Sequence, residues 1–373
     1  MVAKADKTLI LATSYATKLP RTDYVELSKI LDCDIVDYAI YNDSGLCRLF
    51  RPYEKKLRLD FHLALTGYLR SAIYDTVLLM SERVAIPYLM LCRLFGKRAR
   101  ALMISMHSSH KQARVFRGLG LSSRLDGVIS FTPAQRRFLT NEMKLSASVI
   151  SYIPYCVDTE FFTPGDSGYS EYGYVMSAGG VPGRDYNTFL EAVSEIDCEV
   201  RIVCGGRPYG RKTSSGLRID SDRIQVISNI PSTVMRDVYR DAALVVVPLA
   251  EGRDDAAGST VLLEAMSMAK CVVVSASPGI RPYIASDNNA VLVPPGRSDL
   301  LKGAIVRLLQ NPKERELRGG NARAFVRDNC DVTSYAQRLA RVVNGEVLEW
   351  PWQTSLENLE RENSEESWTS SGT

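Results

Sequence analysis

The chain has 373 residues, 45% of them hydrophobic and 24% charged, with a formal net charge of +3. That is room for two domains of ordinary globular composition. No apolar run approaches the roughly 18 residues of a membrane span, and residues 8–12 are too short for a signal-peptide core. The eight cysteines are scattered from Cys33 to Cys330 with no C-x-x-C pair and no histidine at ligand spacing, so they read as reduced thiols of a cytosolic protein, with no metal site expected.

Residues 8–13 read as a first strand, 21–31 as a helix, 34–40 as a second strand and 54–71 as one long helix with leucines at helical spacing. A strand at 75–80 is followed by an apolar helix at 84–95. Then come a strand at 101–106, a basic helix at 111–121, a strand at 128–131, a helix from Pro133 to 143 and a strand at 149–153. Thr163-Pro164-Gly165-Asp166-Ser167-Gly168 is the best linker candidate. Alternation resumes beyond it with strands at 174–177, 200–204 and 224–227, and helices at 185–196 and 232–241, the second with Ser232 as N-cap. Residues 290–293 read as a strand, and 299–310, 312–329 and 333–344 as helices. Strands and helices alternating in this way predict doubly wound parallel sheets. The polar tail from residue 353 has too little apolar content to fold.

The stretch 243–279 carries the most chemistry. A β-branched run at 244–247 reads as a buried strand, 251–257 as a polar loop, 258–269 as a helix and 271–275 as a second buried strand, which makes a βαβ unit. Gly258, Ser259 and Thr260 open the helix, with Thr260 or Ser259 as N-cap. Free N–H groups, hydroxyls and the positive end of a helix dipole at one point suit a phosphate. Glu264 lies six residues beyond Gly258, about 9 Å along a helix axis, where a carboxylate can accept from the hydroxyls of a diol. Phosphate followed by ribose is the order of a nucleotide.

The words AAGSTVLLEAM, MAKCVVVS and NAVLVPPG in this stretch resemble the donor half of retaining GT-B glycosyltransferases, family 4 in particular. SAGGVPGRDYNTFLEAV, at the start of the second alternation, resembles the family's second donor motif. IPYCVDTEFFTP, with Asp158, Phe162 and Pro164, resembles the segment leading between its domains. The resemblance implies an α/β GT-B fold with two Rossmann-like doubly wound domains facing across a cleft. An acceptor domain spans 1–165, a nucleotide-sugar domain 166–330, a helix at 331–350 crosses back to the first domain, and 351–373 is a disordered tail. It implies that Glu264 binds ribose, that Gly258, Ser259 and Thr260 bind the diphosphate, and that Gly179, Gly180 and Gly205 border the donor. Backbone at Ile230 would touch the base.

Arg184 stands where the family has lysine, as the cation that stabilises the departing nucleoside diphosphate; the bland reading is a surface Arg paired with Asp185. His107, or else His110, would touch the donor sugar. The family's first glutamate falls on Ala256, so its carboxylate would come from Asp255 first, Asp254 second. No cofactor or metal is implied, because the nucleotide sugar is the substrate.

The expected activity is retaining, nucleotide-sugar-dependent glycosyl transfer to a glycan, lipid-linked or small-molecule acceptor. The rival readings are a catalytically inactive GT-B subunit serving as partner or scaffold, and a sugar-nucleotide epimerase, against which the sparse titratable groups speak. Residues 1–160 carry 23 Lys/Arg and 15 Asp/Glu, and 83–124 holds nine Lys/Arg and no acid. That block suits an anionic membrane or a lipid phosphate acceptor, and the expected location is cytoplasmic, peripheral at the inner face of the membrane, with no nucleic acid partner.

Overall fold

The computed structural model describes residues 7–16, 19–40, 46–106, 109–165, 173–180, 183–204, 222–252, 256–284 and 288–351. Its first sheet holds β1 (Thr8–Leu11), β2 (Cys33–Val36), β3 (Thr76–Leu79), β4 (Arg100–Ser105), β5 (Gly127–Ser130) and β6 (Ile150–Tyr152), in the order β2-β1-β3-β4-β5-β6. The second holds β7 (Tyr174–Ala178), β8 (Val200–Val203), β9 (Ile224–Ile227), β10 (Ala242–Val247), β11 (Val272–Ser275) and β12 (Val291–Val293), in the order β12-β11-β10-β7-β8-β9. Every pairing is parallel. The central strands are buried at every residue, β1, β3 and β10 among them. Continuous apolar runs therefore suit them, because helices cover both faces of such a sheet.

Around the first sheet lie α1 (Asp23–Ser28), α2 (Leu46–Leu57), α3 (Phe61–Arg70), α4 (Glu82–Phe95) and α5 (His110–Gly118). Around the second lie α6 (Tyr186–Ser194), α7 (Ser232–Asp241), α8 (Ser259–Ser267), α9 (Ser298–Leu309) and α10 (Pro312–Asn329). Three helix readings are corrected. The leucine pattern of 54–71 runs through two helices, because Arg58 takes a positive φ of 55°, which no right-handed helix continues. The segment after Pro133 is a 3-10 turn, Pro133–Gln135, followed by a π-helical turn, Phe138–Glu142. Pro231, not Ser232, is the N-cap of α7.

The chain crosses between the sheets twice, and the two crossings are stitched together. Val157 and Asp331 form a parallel bridge, with Val157 N–H donating to Cys330 O at 2.9 Å and Val332 N–H to Val157 O at 3.1 Å. Arg21 fastens the loop after β1 to both. Its backbone N–H and its guanidinium Nη2 each reach Asp158 at 2.7 Å, and Asp331 lies 3.6 Å away. These bonds hold Arg21 out of α1, which starts later than the sequence pattern suggests. A final helix, α11 (Val332–Val343), packs on α1 and buries Tyr335, Ala336 and Leu339 with Ile10, Ala12 and Leu27 of the first domain. Residues 352–373, the expected tail, and part of the expected linker lie outside the described residues.

Candidate active site

The order of the second sheet defines where a ligand fits. From β7 the chain winds outward through β8 and β9, and from β10 it winds the other way through β11 and β12. The carboxyl ends of β7 and β10 are the topological switch point, where open α/β sheets bind their ligands. Three features meet there: Gly179 and Gly180 after β7, Leu249 after β10, and the start of α8.

Gly258 is the N-cap of α8, in place of the expected Ser259 or Thr260. It has a φ of +95°, and a Cβ on it would stand 2.9 Å from Leu249 Cδ2 and 3.2 Å from Val247 Cγ1. Both the backbone angle and the space require glycine. Ser259 is buried and Thr260 exposed. The opening of α8 thus lies at the switch point with the positive end of its dipole there, as an anion site needs, while Ser259 N–H donates to Ala256 O at 3.0 Å.

Arg184 is only 8% exposed. Its Nε donates to Ala178 O at 2.8 Å, and its backbone bridges to Leu249. The guanidinium lies flat against Gly179, where a Cβ would meet three of its atoms at 2.6–2.7 Å. Asp185 is engaged elsewhere. Its carboxylate caps α6, accepting from Thr188 N at 3.1 Å and from Thr188 Oγ1 at 2.6 Å. Arg184 is therefore a buried cation at the switch point rather than a surface partner of Asp185. A Cβ on Gly180 would meet nothing within 4 Å, so space opens beside it.

Glu264, on α8, accepts a 2.8 Å hydrogen bond at Oε2 from the Tyr239 hydroxyl. Burial pushes its carboxyl up to about 7, against the opposing effect of that bond. Tyr239 is fully buried on α7, and burial, with the neighbouring carboxylate, pushes its phenol well up. Glu264 and Thr260 also line a cavity of about 260 Å³ between the two domains, facing Ser14, Asp23 and Tyr24 of the first and Tyr155 of the crossing. Burial pushes the Asp23 carboxyl up to about 6, against the opposing effect of the Tyr24 N–H that donates to it at 2.9 Å.

Four sequence candidates, His107, Gly205, Asp254 and Asp255, lie outside the described residues. His110 opens α5 and turns toward the first domain's own π-helical turn. Its Nδ1 is 3.7 Å from Glu142, and its ring lies edge-on to Phe138. Ile230 is partly buried against the core of the second domain, just before the cap of α7. Ala256 packs against the first-domain cluster that contains Tyr24 and Met80. Tyr239 and Asp23 escape a reading of the sequence, since neither belongs to a motif and only the fold brings them to Glu264. Among the described residues, no group of three or more His, Cys, Asp or Glu side chains is gathered as a metal site.

Residues 174–311 match the family model Glycosyl transferases group 1. The chain is 24% identical over 211 residues to MMP alpha-(1->4)-mannosyltransferase of Mycolicibacterium hassiacum, covering 54% of this chain and 50% of that protein. It is 27% identical over 178 residues to alpha-D-kanosaminyltransferase of Streptomyces kanamyceticus, covering 45% and 44%. The chain thus spans about half the length of the curated relatives it matches. Among solved structures it is similar to Anabaena HepE in complex with UDP-glucose, with a TM-score of 0.68 at 16% identity over 91% of this chain and 100% of that one. Sucrose-phosphate synthase from Thermosynechococcus elongatus also gives 0.68 at 16% identity, over 91% and 98%. The two parallel sheets have the GT-B fold of these neighbours.

Proposed function

We propose that this GT-B protein, whose residues 174–311 match the Glycosyl transferases group 1 model, transfers a sugar from a nucleoside-diphosphate donor to a hydroxyl-bearing acceptor. The carrying observation is the meeting of three features at one switch point: the glycine-capped start of α8, the buried Arg184 guanidinium and the Glu264 carboxylate. The start of α8 at Gly258, Ser259 and Thr260 and the Arg184 cation take the diphosphate. Glu264 takes the ribose diol, and Gly180 leaves room beside it. A cation fixed at the leaving group stabilises charge that grows as the sugar departs, so it lowers the barrier more than it tightens ground-state binding.

Transfer proceeds with retention and without a metal ion in this reading, and the acceptor approaches from the first domain. His107 touches the donor sugar, and backbone at Gly205 and Ile230 lies along the nucleotide. A carboxylate from Asp255, or from Asp254 next to it, supports the positive charge that develops on the sugar, in place of the one that Ala256 lacks. The complex of HepE with UDP-glucose supports a nucleotide-sugar donor by analogy of fold.

A thermal-shift screen of nucleotide sugars, followed by assay of nucleoside diphosphate release with and without excess chelator, tests this reading. Stabilisation by one donor class and chelator-resistant release are expected. Release that stops on chelation and returns with magnesium would remove the metal-free part. The absence of any stabilising donor would remove the whole.

A further inference from the structure

Helices between parallel strands end where the next strand begins, at the sheet edge opposite the carboxyl ends. The C-terminal ends of α3, α4 and α5 therefore gather at the amino edge of the first sheet, away from the cavity. That edge presents large apolar side chains to solvent. Leu69 is 62% exposed, Ile73 71%, Leu94 70% and Phe95 69%, and Leu119 at the end of α5 is 38% exposed. Contacts of neighbouring residues draw the ends of these helices together. Tyr68, next to Leu69, packs on Phe95 with ring centres 6.4 Å apart and donates to Gly96 O at 2.9 Å. Gly120, next to Leu119, comes close enough that a Cβ on it would stand 2.8 Å from Arg93 Nη1.

Cations surround these side chains. Every residue of the run Arg93-Leu94-Phe95-Gly96-Lys97-Arg98 is exposed, and so is Arg70 beside Leu69. Among the described residues none of Arg70, Arg93 and Arg98 is in an ion pair, and Arg98 lies 4.6 Å from the Tyr68 ring centre. Three acids of this edge already have partners, and Arg70 acts on one of them, Asp34, at longer range. Asp34 pairs with Lys7 at 3.1 Å, Asp75 accepts from Lys7 N at 2.9 Å, and Asp126 takes Lys97 and the Ala101 N–H.

We propose that this edge, centred on Leu94 and Phe95 and flanked by Arg70, Arg93 and Arg98, is a docking surface for an anionic phospholipid bilayer. Its exposed apolar side chains and its charge select that occupant. The apolar side chains are open to solvent along the edge, as insertion among lipid headgroups requires. Arg70 and Arg93 adjoin Leu69 and Leu94 in the chain, and an arginine stem can lie along apolar surface while its charge stays at the phosphates. Docking is peripheral, since no helix among the described residues is long and apolar enough to cross a membrane. This surface is distinct from the donor site and does not depend on the reading of it.

The test is co-sedimentation of the full chain with vesicles of phosphatidylcholine alone and of phosphatidylcholine with phosphatidylglycerol in equal parts. Binding to the anionic vesicles alone is expected, weakening as salt rises from about 50 mM to about 500 mM. Arg70→Gln with Arg93→Gln should lower the partition about fivefold per cation removed. Leu94→Ser with Phe95→Ser should lower it further, and neither pair should move the thermal midpoint by more than about 2 °C. Equal pelleting with both vesicles, pelleting with neither, or pelleting unchanged in both variants would overturn the proposal. So would a dimer that forms without vesicles and is lost in the Leu94/Phe95 variant, which would make a second copy of the chain the occupant.

Discussion

The Tyr239 hydroxyl holds Glu264 from a helix 25 residues away, at 2.8 Å and from a fully buried ring. A carboxylate on a helix face can turn through several rotamers, and this bond selects one of them. In the proposed reading, Tyr239 is therefore a positioning residue for the ribose contact of Glu264. Tyr239→Phe keeps the ring and removes the bond. It should raise the donor KM about fivefold, near 1 kcal/mol, with kcat less affected. Steady-state kinetics at several donor concentrations checks this. An unchanged KM would show that Glu264 holds its pose without help.

The raised carboxyls give a pH signature. Glu264 is pushed up to about 7 and Asp23 to about 6, each by burial. In the unfolded chain both ionise near 4, so between that point and their folded values the unfolded state has released protons that the folded state still holds. Their contribution to stability is full below the unfolded values and is lost as pH rises toward 6 and 7. Urea midpoints from pH 4 to 8 should show this fall, and Glu264→Gln with Asp23→Asn should flatten it. Donor binding should run the other way, strengthening as pH rises through about 7 and Glu264 ionises. A wild-type midpoint that rises across the same range and is unaffected by the substitutions would contradict this.

Gly179 and Arg184 act as one unit, because the guanidinium occupies the space a Cβ would need. Arg184→Ala should lower kcat by about 100-fold and affect donor affinity less. Arg184→Lys should recover part of this, since one ammonium cannot both bond Ala178 O and present a planar fork to a diphosphate. Gly179→Ala should resemble Arg184→Ala by pushing the cation aside, with an added folding cost of about 1–2 kcal/mol from its φ of +117°. Rapid-quench assay of nucleoside diphosphate release separates the effects. Full turnover in the Gly179 variant would dissociate the two residues.

In the proposed reading, Ala256 leaves the transferred sugar without a carboxylate at that position. Asp255→Asn should keep nucleotide binding and lose most turnover, with Asp254→Asn the milder of the two. If both variants transfer sugar at the parent rate, neither carboxylate has this role.

Much of this site is legible in the sequence, for physical reasons. The runs at 244–247 and 272–274 are too apolar and β-branched to be anything but buried strands, and both are. Gly258 and Glu264 stand out because a helix start suited to phosphate puts them close together in sequence, and Arg184 because it stands between a strand ending in Gly179-Gly180 and the next helix. Tyr239 does not, since its meeting with Glu264 depends on how α7 lies against α8. Asp23 looks like an ordinary acid at a helix start until the fold sets it in a cavity with the second domain. The leucines of 54–71 keep helical spacing across the break at Arg58, so periodicity alone cannot see the turn. The N-cap of α8 was expected at a hydroxyl because hydroxyl caps are common. The close approach of Leu249 makes it Gly258 instead.

Calorimetric titration of the whole chain with a panel of nucleoside diphosphates probes the switch-point site most directly, because it needs neither the acceptor nor turnover. One saturable site for one base is expected. Glu264→Ala and Arg184→Ala should each weaken it, the former by about tenfold or more, with folding intact by thermal melting. A chain that binds no nucleoside diphosphate, or binds one equally well without Glu264 and without Arg184, would place the ligand elsewhere and contradict the site described.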